Sequence, residues 1–211
     1  ILTSWNGLML KGYLDAYIAL GNKDYLKAAL KNAEFICDEL KLEDNRLFRN
    51  FKNNKATING FLDDYAFTIQ AFISLYQATF DQQWLNKAEA LLKYSLSHFF
   101  DKSTGMFYYT SDIDISLIAR KMEISDNVIP SSNSEMAKNL FLMGRYLYKD
   151  NYIKMSKTML NNVKESTIKS SSYFSNWGIL MSWLSSETYD VSIVGKDCQL
   201  LRKQLNQYYL P

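Results

Sequence analysis

The strongest constraint on the fold is a repeat of two alternating kinds of helix. The first kind is amphipathic, with an aromatic–aliphatic pair followed by apolar residues at helical spacing and with one polar face. It occurs at residues 25–29, 84–88 and 152–156. A short polar segment containing Asp or Gln precedes each copy, as is typical of a helix start. Because one face of each helix is polar, we predict that these helices lie on the outside of the fold.

The second kind of helix is apolar or small on most faces, which predicts a buried position. These helices are predicted at residues 8–20, 66–79, 135–148 and 178–185. Each of the first three is followed by one of the amphipathic helices. The repeating unit is therefore an inner helix, an outer helix and a rim loop, with a period of about 59 to 69 residues.

Alternating buried and amphipathic helices joined by short turns predict an all-α fold, a partial (α/α)6 toroid of helical hairpins. Short alternating stretches at residues 45–49 and 104–108 predict β-hairpins at its rim. We assign residues 1–187 to the C-terminal portion of the toroid. Residues 188–211 form a tail packed on it, with a strand at 189–195 and a helix at 197–209. A complete ring has more hairpins, which we expect before Ile1 or from a partner chain.

Composition and charge exclude several classes of function. The net charge is +2 and the charges are interspersed, so the chain has no basic stripe for nucleic acid. No apolar run approaches the roughly 20 residues that span a membrane. Cys37 and Cys198 form no paired motif and indicate reduced thiols in a cytoplasmic protein. His98 is the only histidine, so we assign no metal and no cofactor.

Polar clusters precede or open each inner helix, and they should converge at one end of the ring, which we call the mouth. Helix N-termini offer unpaired N–H groups that suit anionic or hydroxyl-rich ligands. The catalytic candidates are Asp63 and Asp64, although both carboxylates are also well placed to cap a helix. Glycosidases need two carboxyls about 5 to 9.5 Å apart. We predict Asp126 as the partner of Asp64, with Glu135 as the alternative.

Further side chains at the mouth are candidates for binding a ligand. They are Trp5, Asn6, Tyr65, Arg120, Ser132 and Asn133. Each also has a structural interpretation. Trp5 fills the centre of the ring as readily as it stacks on a sugar, and Ser132 and Asn133 are residue types that cap helices. Arg120 is suited to a carboxylate or phosphate but is more common at a surface.

Several ordered motifs together resemble those of the YyaL/spermatogenesis-associated protein 20 family. They are residues 1–9, 60–66, 126–134, 191–195 and 208–211. The resemblance implies an N-terminal thioredoxin-like domain followed by a six-hairpin toroid, of which this chain is the C-terminal part. That toroid is similar to the six-hairpin glycosidases and the N-acylglucosamine 2-epimerases. Ser132 replaces the usual glycine of the family, and the cleft histidines of sugar epimerases are missing.

Two functions remain open from these residues. In the first, the domain binds a carbohydrate or polyol-like ligand at the mouth and hydrolyses or isomerises it, with Asp64 as general acid or base. In the second, the toroid is a non-catalytic scaffold. It then presents a ligand or a client protein to the thioredoxin-like domain of the full-length chain.

An incomplete ring exposes the apolar flanks of its inner helices, and such patches favour association. We therefore predict that the isolated chain forms dimers or is poorly soluble. Size-exclusion chromatography with light scattering measures this directly. A soluble monomer of a single mass would contradict the prediction.

Overall fold

The computed structural model describes residues 1–114, 119–187, 189, 191–205 and 208. Four inner helices pack side by side in chain order: α1 Thr3–Leu20, α3 Leu62–Thr79, α5 Ser132–Tyr146 and α7 Ser175–Ser185. Three outer helices each pack on the preceding inner helix: α2 Lys23–Phe35, α4 Gln82–His98 and α6 Asp150–Lys169. A π-helical turn, Ile36–Leu40, extends α2. The predicted partial α/α toroid is confirmed.

Local sequence signals set the ends of these helices. The Asn22 side chain accepts the Asp24 N–H at the start of α2, and Asp81 accepts the Gln83 N–H at the start of α4. Gly21 ends α1 with a φ of 69°, a left-handed conformation that glycine adopts without steric cost. The inner helices begin three to five residues earlier than their predicted bodies. Asp63 and Asp64 therefore lie inside the first turn of α3.

Burial follows position in the partial ring. Helices α3 and α5 are buried on most faces because each has an inner helix on both sides. In α1, by contrast, Trp5, Met9 and Leu20 are exposed. No described helix packs against that face of α1, so the expectation of burial on all sides fails there. This exposed apolar face is the structural basis for self-association, which stays a prediction.

Two short hairpins lie at the rim. Strand β1 Phe51–Lys52 pairs with β2 Lys55–Ala56, and β3 Phe100–Asp101 pairs with β4 Met106–Phe107. The hairpin predicted around 104–108 is confirmed. Residues 45–49 make only isolated bridges, and the first hairpin forms a few residues later. The turn explains that position, because Asn53 and Asn54 both have positive φ values, as a two-residue hairpin turn requires.

The tail contains helix α8 Cys198–Leu205, which confirms the predicted helix in part. The predicted strand is not formed at residues 191–194, since no neighbouring strand pairs with them and a lone strand leaves its backbone unpaired. Most of the motif at 208–211 lies outside the described residues. Arg202 of α8 donates to the Ala78 carbonyl of α3 and to the Tyr17 hydroxyl of α1. Among the described helices, none is long and apolar enough to cross a membrane.

The close contact between α1 and α3 depends on a glycine. A Cβ built on Gly7 of α1 would lie 2.8 Å from the Phe67 carbonyl carbon and 3.0 Å from the Thr68 nitrogen. Both atoms belong to the backbone of α3 and cannot move aside like a flexible side chain. Gly12 of the same helix has no atom within 4 Å of such a Cβ. Only Gly7 therefore sets the spacing of α1 and α3.

This contrast gives a matched test on one helix. We expect Gly7→Ala to destabilise the protein by about 1–3 kcal/mol, the usual cost of overpacking. Gly12→Ala should be neutral or stabilising by about 0.5–1 kcal/mol, because alanine favours a helix. The free energy of unfolding from urea titration measures both. Equal effects of the two substitutions would show that α1 and α3 are not in this close contact.

Candidate functional site

Asp63, Asp64 and Arg49 form an ionic cluster at the start of α3. A single guanidinium nitrogen of Arg49, Nη1, lies 2.9 Å from Asp63 Oδ1 and 3.2 Å from Asp64 Oδ2. Arg49 reaches the cluster from the rim segment just before β1. Both carboxylates are almost fully buried, whereas the Arg49 side chain is 22% exposed. The cluster is therefore open to solvent through the arginine.

Asp64 is hydrogen-bonded through both oxygens. Its Oδ1 accepts the Ser4 N–H of α1 at 2.8 Å, and its Oδ2 accepts the Phe61 N–H at 2.9 Å. The second bond is half of a capping box for α3. Burial, reinforced by the charge of Asp63, raises the pKa of Asp64 to about 7 against the opposing effect of Arg49. Asp64 thus keeps a proton at higher pH than a surface aspartate does.

Asp63 has a different set of contacts. Its Oδ1 accepts from Arg49 and from the Asp64 N–H at 3.0 Å, whereas its Oδ2 accepts from no described residue. The Arg49 guanidinium lies over the Phe61 ring at 4.6 Å, and its Nε and Nη2 donate to no described residue. One carboxylate oxygen and one edge of the guanidinium are therefore free to bind a ligand.

Two aromatic side chains flank this cluster. The rings of Phe61 and Tyr109 lie 5.2 Å apart. Burial, with Asp63 nearby, raises the pKa of Tyr109, so its hydroxyl keeps its proton at neutral pH. The cluster thus combines apolar ring surface, a hydroxyl donor, a carboxylate and a guanidinium. This combination is typical of sites that bind polar organic ligands.

Asp126 joins two neighbouring inner helices. Its Oδ1 accepts from the Ser131 N–H at 2.9 Å and from the Ser134 hydroxyl, at the start of α5. Its Oδ2 accepts from the Asn176 N–H at 2.9 Å and from the Ser175 hydroxyl, at the start of α7. Each Asp126 oxygen therefore accepts from two donors of the protein. It shares no hydrogen-bond partner with Asp64.

The polar candidates around α5 are also engaged within the protein. The Asn133 amide is buried and bonds both the N–H and the carbonyl of Phe107, and Glu123 accepts the Ser132 N–H. Arg120 donates to the carbonyls of Thr110 and His98 and lies over the Tyr108 ring. These side chains attach the rim segment to the start of α5 and to the end of α4. The buried Ser132 hydroxyl has no partner among the described residues.

The remaining candidates divide into exposed and buried positions. Trp5 is 65% exposed on α1. The Asn6 amide donates to the Leu2 carbonyl of its own helix. Tyr65 is fully buried, where its hydroxyl accepts the Leu47 N–H at 2.8 Å. Tyr65 therefore contacts no ligand in this arrangement, although it lies next to Asp64 in the chain.

Arg49 and Tyr109 were not identified from the sequence. Both lie in rim segments, and Arg49 is separated from Asp63 by 14 residues and a hairpin. One signal for Arg49 was present in the sequence: the repeat placed it on a rim segment, and two adjacent acidic residues need a cation nearby. Glu135, the alternative second carboxyl, is buried and ion-paired with Lys138 at 2.9 Å. Among the described residues, no group of three or more His, Cys, Asp or Glu could hold a metal.

The contacts of Asp126 predict its contribution to stability. Asp126→Ala leaves the buried Ser131 N–H and the partly buried Asn176 N–H without a partner at the starts of α5 and α7, so we expect a loss of about 2–5 kcal/mol. Asp15→Ala is the control, because the exposed Lys11–Asp15 pair is worth at most about 1 kcal/mol. Urea unfolding measures both. A loss no larger than that of the control would show that Asp126 does not hold these helices.

Curated relatives are considerably longer than this chain. An uncharacterised protein of Caenorhabditis elegans is 32% identical over 161 residues, which is 72% of this chain and 22% of that protein. Mouse spermatogenesis-associated protein 20 is 30% identical over 150 residues, covering 66% of this chain and 19% of that protein. The chain thus spans about a fifth of these relatives. The predicted resemblance is confirmed.

Solved structures share the fold at low sequence identity. A family 76 α-mannanase of Bacteroides thetaiotaomicron superimposes with a TM-score of 0.63 at 19% identity, covering 78% of this chain and 44% of that one. An α-1,6-mannanase of a Salegentibacter species has a TM-score of 0.60 at 11% identity, covering 77% and 47%. That enzyme was solved as an inactive variant, with two consecutive aspartates changed to asparagine, bound to α-1,6-mannotriose.

The family model for glycosyl hydrolase family 76 matches residues 3–202, which include every inner and outer helix described above. This match covers far more than half of the sequence. The toroidal architecture and the acidic mouth agree with it. The chain therefore belongs to glycosyl hydrolase family 76.

Proposed function

We propose that this chain contributes a carbohydrate site at the mouth and that Asp63 and Asp64 act on a glycosidic bond there. The observation that carries the proposal is the cluster itself. Arg49 holds two consecutive aspartates at the first turn of an inner helix, while Asp63 Oδ2 and one edge of Arg49 stay free. The inactive Salegentibacter mannanase, changed at two consecutive aspartates, supports the same pair.

The two carboxyls suit different roles. Asp64, whose pKa is raised to about 7, is the proposed proton donor; because both of its oxygens accept backbone N–H groups, donation to a ligand requires release of one of these bonds. Asp63 presents its free oxygen and is the proposed carboxylate that faces the ligand. Asp126 is not part of the proposed pair, because it is bonded at the starts of α5 and α7 and has no contact with Arg49. Trp5, Tyr109 and Phe61 supply apolar surface for the sugar rings.

Arg49 orders this site in two ways. Its positive charge lies beside both carboxylates and lowers the free-energy cost of burying two adjacent acidic residues. Stacking on Phe61 fixes the plane of the guanidinium, so its free N–H groups have a set direction. Sugar hydroxyls accept hydrogen bonds from such donors and donate to a carboxylate oxygen. We assign Arg49 a positioning role in ligand binding.

The test compares Asp63→Asn with Asp24→Asn, an equivalent change at an exposed aspartate of α2. A thermal-shift screen with α-1,6-mannotriose and other neutral oligosaccharides comes first. Ligand at about 100 times its Kd adds about 2.7 kcal/mol to the stability of the wild type. We expect Asp63→Asn to lose most of this gain and any hydrolysis, whereas Asp24→Asn keeps both.

Normal binding and normal turnover in Asp63→Asn would overturn the proposal. Asp63 is preferred over Asp64 for this test because the Asp64 carboxylate also accepts two backbone N–H groups. Loss of those bonds would mix a folding defect with a loss of function.

A non-catalytic scaffold is the second candidate, and one observation favours it. All oxygens of Asp64 and Asp126 accept hydrogen bonds from the protein itself, as structural carboxylates do. In this case the toroid presents a ligand or a client protein to a thioredoxin-like domain of a longer chain. Ligand binding without turnover, together with Asp64→Asn that lowers stability but leaves the Kd unchanged, would favour the scaffold.

A further inference from the structure

A groove on the outer wall lies apart from the mouth. It has a volume of about 470 Å³ and runs between the exposed face of α4 and the loop before Leu47. Its lining includes Asn45, Asn86, Lys93, Ser97 and His98. The volume is within the range of small-molecule sites, about 300–1,000 Å³. None of the mouth residues lines it.

The rings of Tyr94 and His98 line one wall of the groove, and the buried Tyr65 ring supports Tyr94 from behind. Tyr65 stacks on Tyr94 with ring centres 5.3 Å apart and an angle of 4°. Tyr94 in turn contacts His98, with ring centres 4.3 Å apart. His98 is fixed on its other side by Asp112, whose Oδ1 lies 2.8 Å from Nδ1. The His98 ring is thus the rigid outermost layer, with Nε2 free of described partners.

Polar groups without partners surround this ring. The side-chain amides of Asn45 and Asn86 make no hydrogen bond to any described residue, and Asn86 is exposed. Ser97 donates its hydroxyl proton to the Lys93 carbonyl, which leaves the Ser97 oxygen free to accept. Amides both donate and accept, so they match hydroxyl groups, which do the same.

Among the charged residues that line the groove, Asp44 has no described ion-pair partner, whereas the cation Lys93 is paired. Lys93 pairs with Glu89 at 3.2 Å, and Lys149 pairs with the same carboxylate. His98 pairs with Asp112. No unpaired cation among the described lining residues remains to attract an anion. An unpaired carboxylate without an unpaired cation disfavours an anion, whereas the hydroxyl groups of a neutral ligand can donate to the Asp44 carboxylate.

We propose that this outer-wall groove is a second binding site, which takes a neutral polyhydroxylated ligand of the sugar class. The His98 ring packs against a sugar face, while the amides of Asn45 and Asn86 bond its hydroxyls. The proposal is independent of the function proposed for the mouth, because it uses none of the mouth residues. Its role is attachment, since the groove holds no free pair of carboxyls.

The single histidine makes the test direct, because its imidazole NMR signals report on the groove alone. Maltose, cellobiose, lactose and melibiose are the neutral probes, and glucuronic acid is the charged comparison. We expect at least one neutral disaccharide to shift the His98 signals saturably and glucuronic acid to bind more weakly. No shift with any of the neutral probes would overturn the proposal.

Matched variants locate the site. Asn86→Ala should raise the apparent Kd about tenfold, the effect of losing about 1.4 kcal/mol of hydrogen bonding. Asn161→Ala, the same change at an exposed position of α6, should leave it unchanged. Asp63→Asn should also leave it unchanged. An unaffected Asn86→Ala, or loss of the His98 shift in Asp63→Asn, would show that the groove is not a separate site.

Discussion

Carboxylates at the starts of the inner helices are the interaction on which the structure depends. The first N–H groups of an inner helix have no partners within the helix. Asp64 accepts one such N–H from α1, and Asp126 accepts others from α5 and α7. Each carboxylate therefore connects neighbouring hairpins as well as capping a helix. Helix dipoles add to this effect, because the positive ends of two helices meet each negative group.

The same arrangement brings the buried carboxylates and their cation, Arg49, together at one end of the fold. Because the carboxylates must be buried to reach the helix starts, their charges need compensation, and Arg49 supplies it for Asp63 and Asp64. Burying two carboxylates costs stability, but the hydrogen bonds that they make to two helices offset this cost. The architecture and the proposed ligand site thus use the same residues at the mouth. This explains why capping and catalysis are difficult to separate from sequence.

The helices were predictable because their signals are local. Apolar spacing and capping residues lie within one or two turns, and they locate every inner and outer helix. Arg49 was not predictable as a partner of Asp63, since the contact depends on how a rim hairpin folds back. The alternation at residues 191–194 is typical of a strand, yet a strand also needs a neighbour that sequence does not reveal. For Asp126, the sequence indicated an acidic residue at the rim but not which donors would reach it.

The contact between Arg202 and Tyr17 has a consequence for the order of folding. It joins residues 185 positions apart, near opposite ends of the chain. Closing so long a loop is costly in entropy until the hairpins between them have formed and shortened the effective distance. The tail helix therefore docks last, against the C-terminal ends of α1 and α3. Until those hairpins are in place, α1 is not held by α8, so α1 is open to proteolysis during folding.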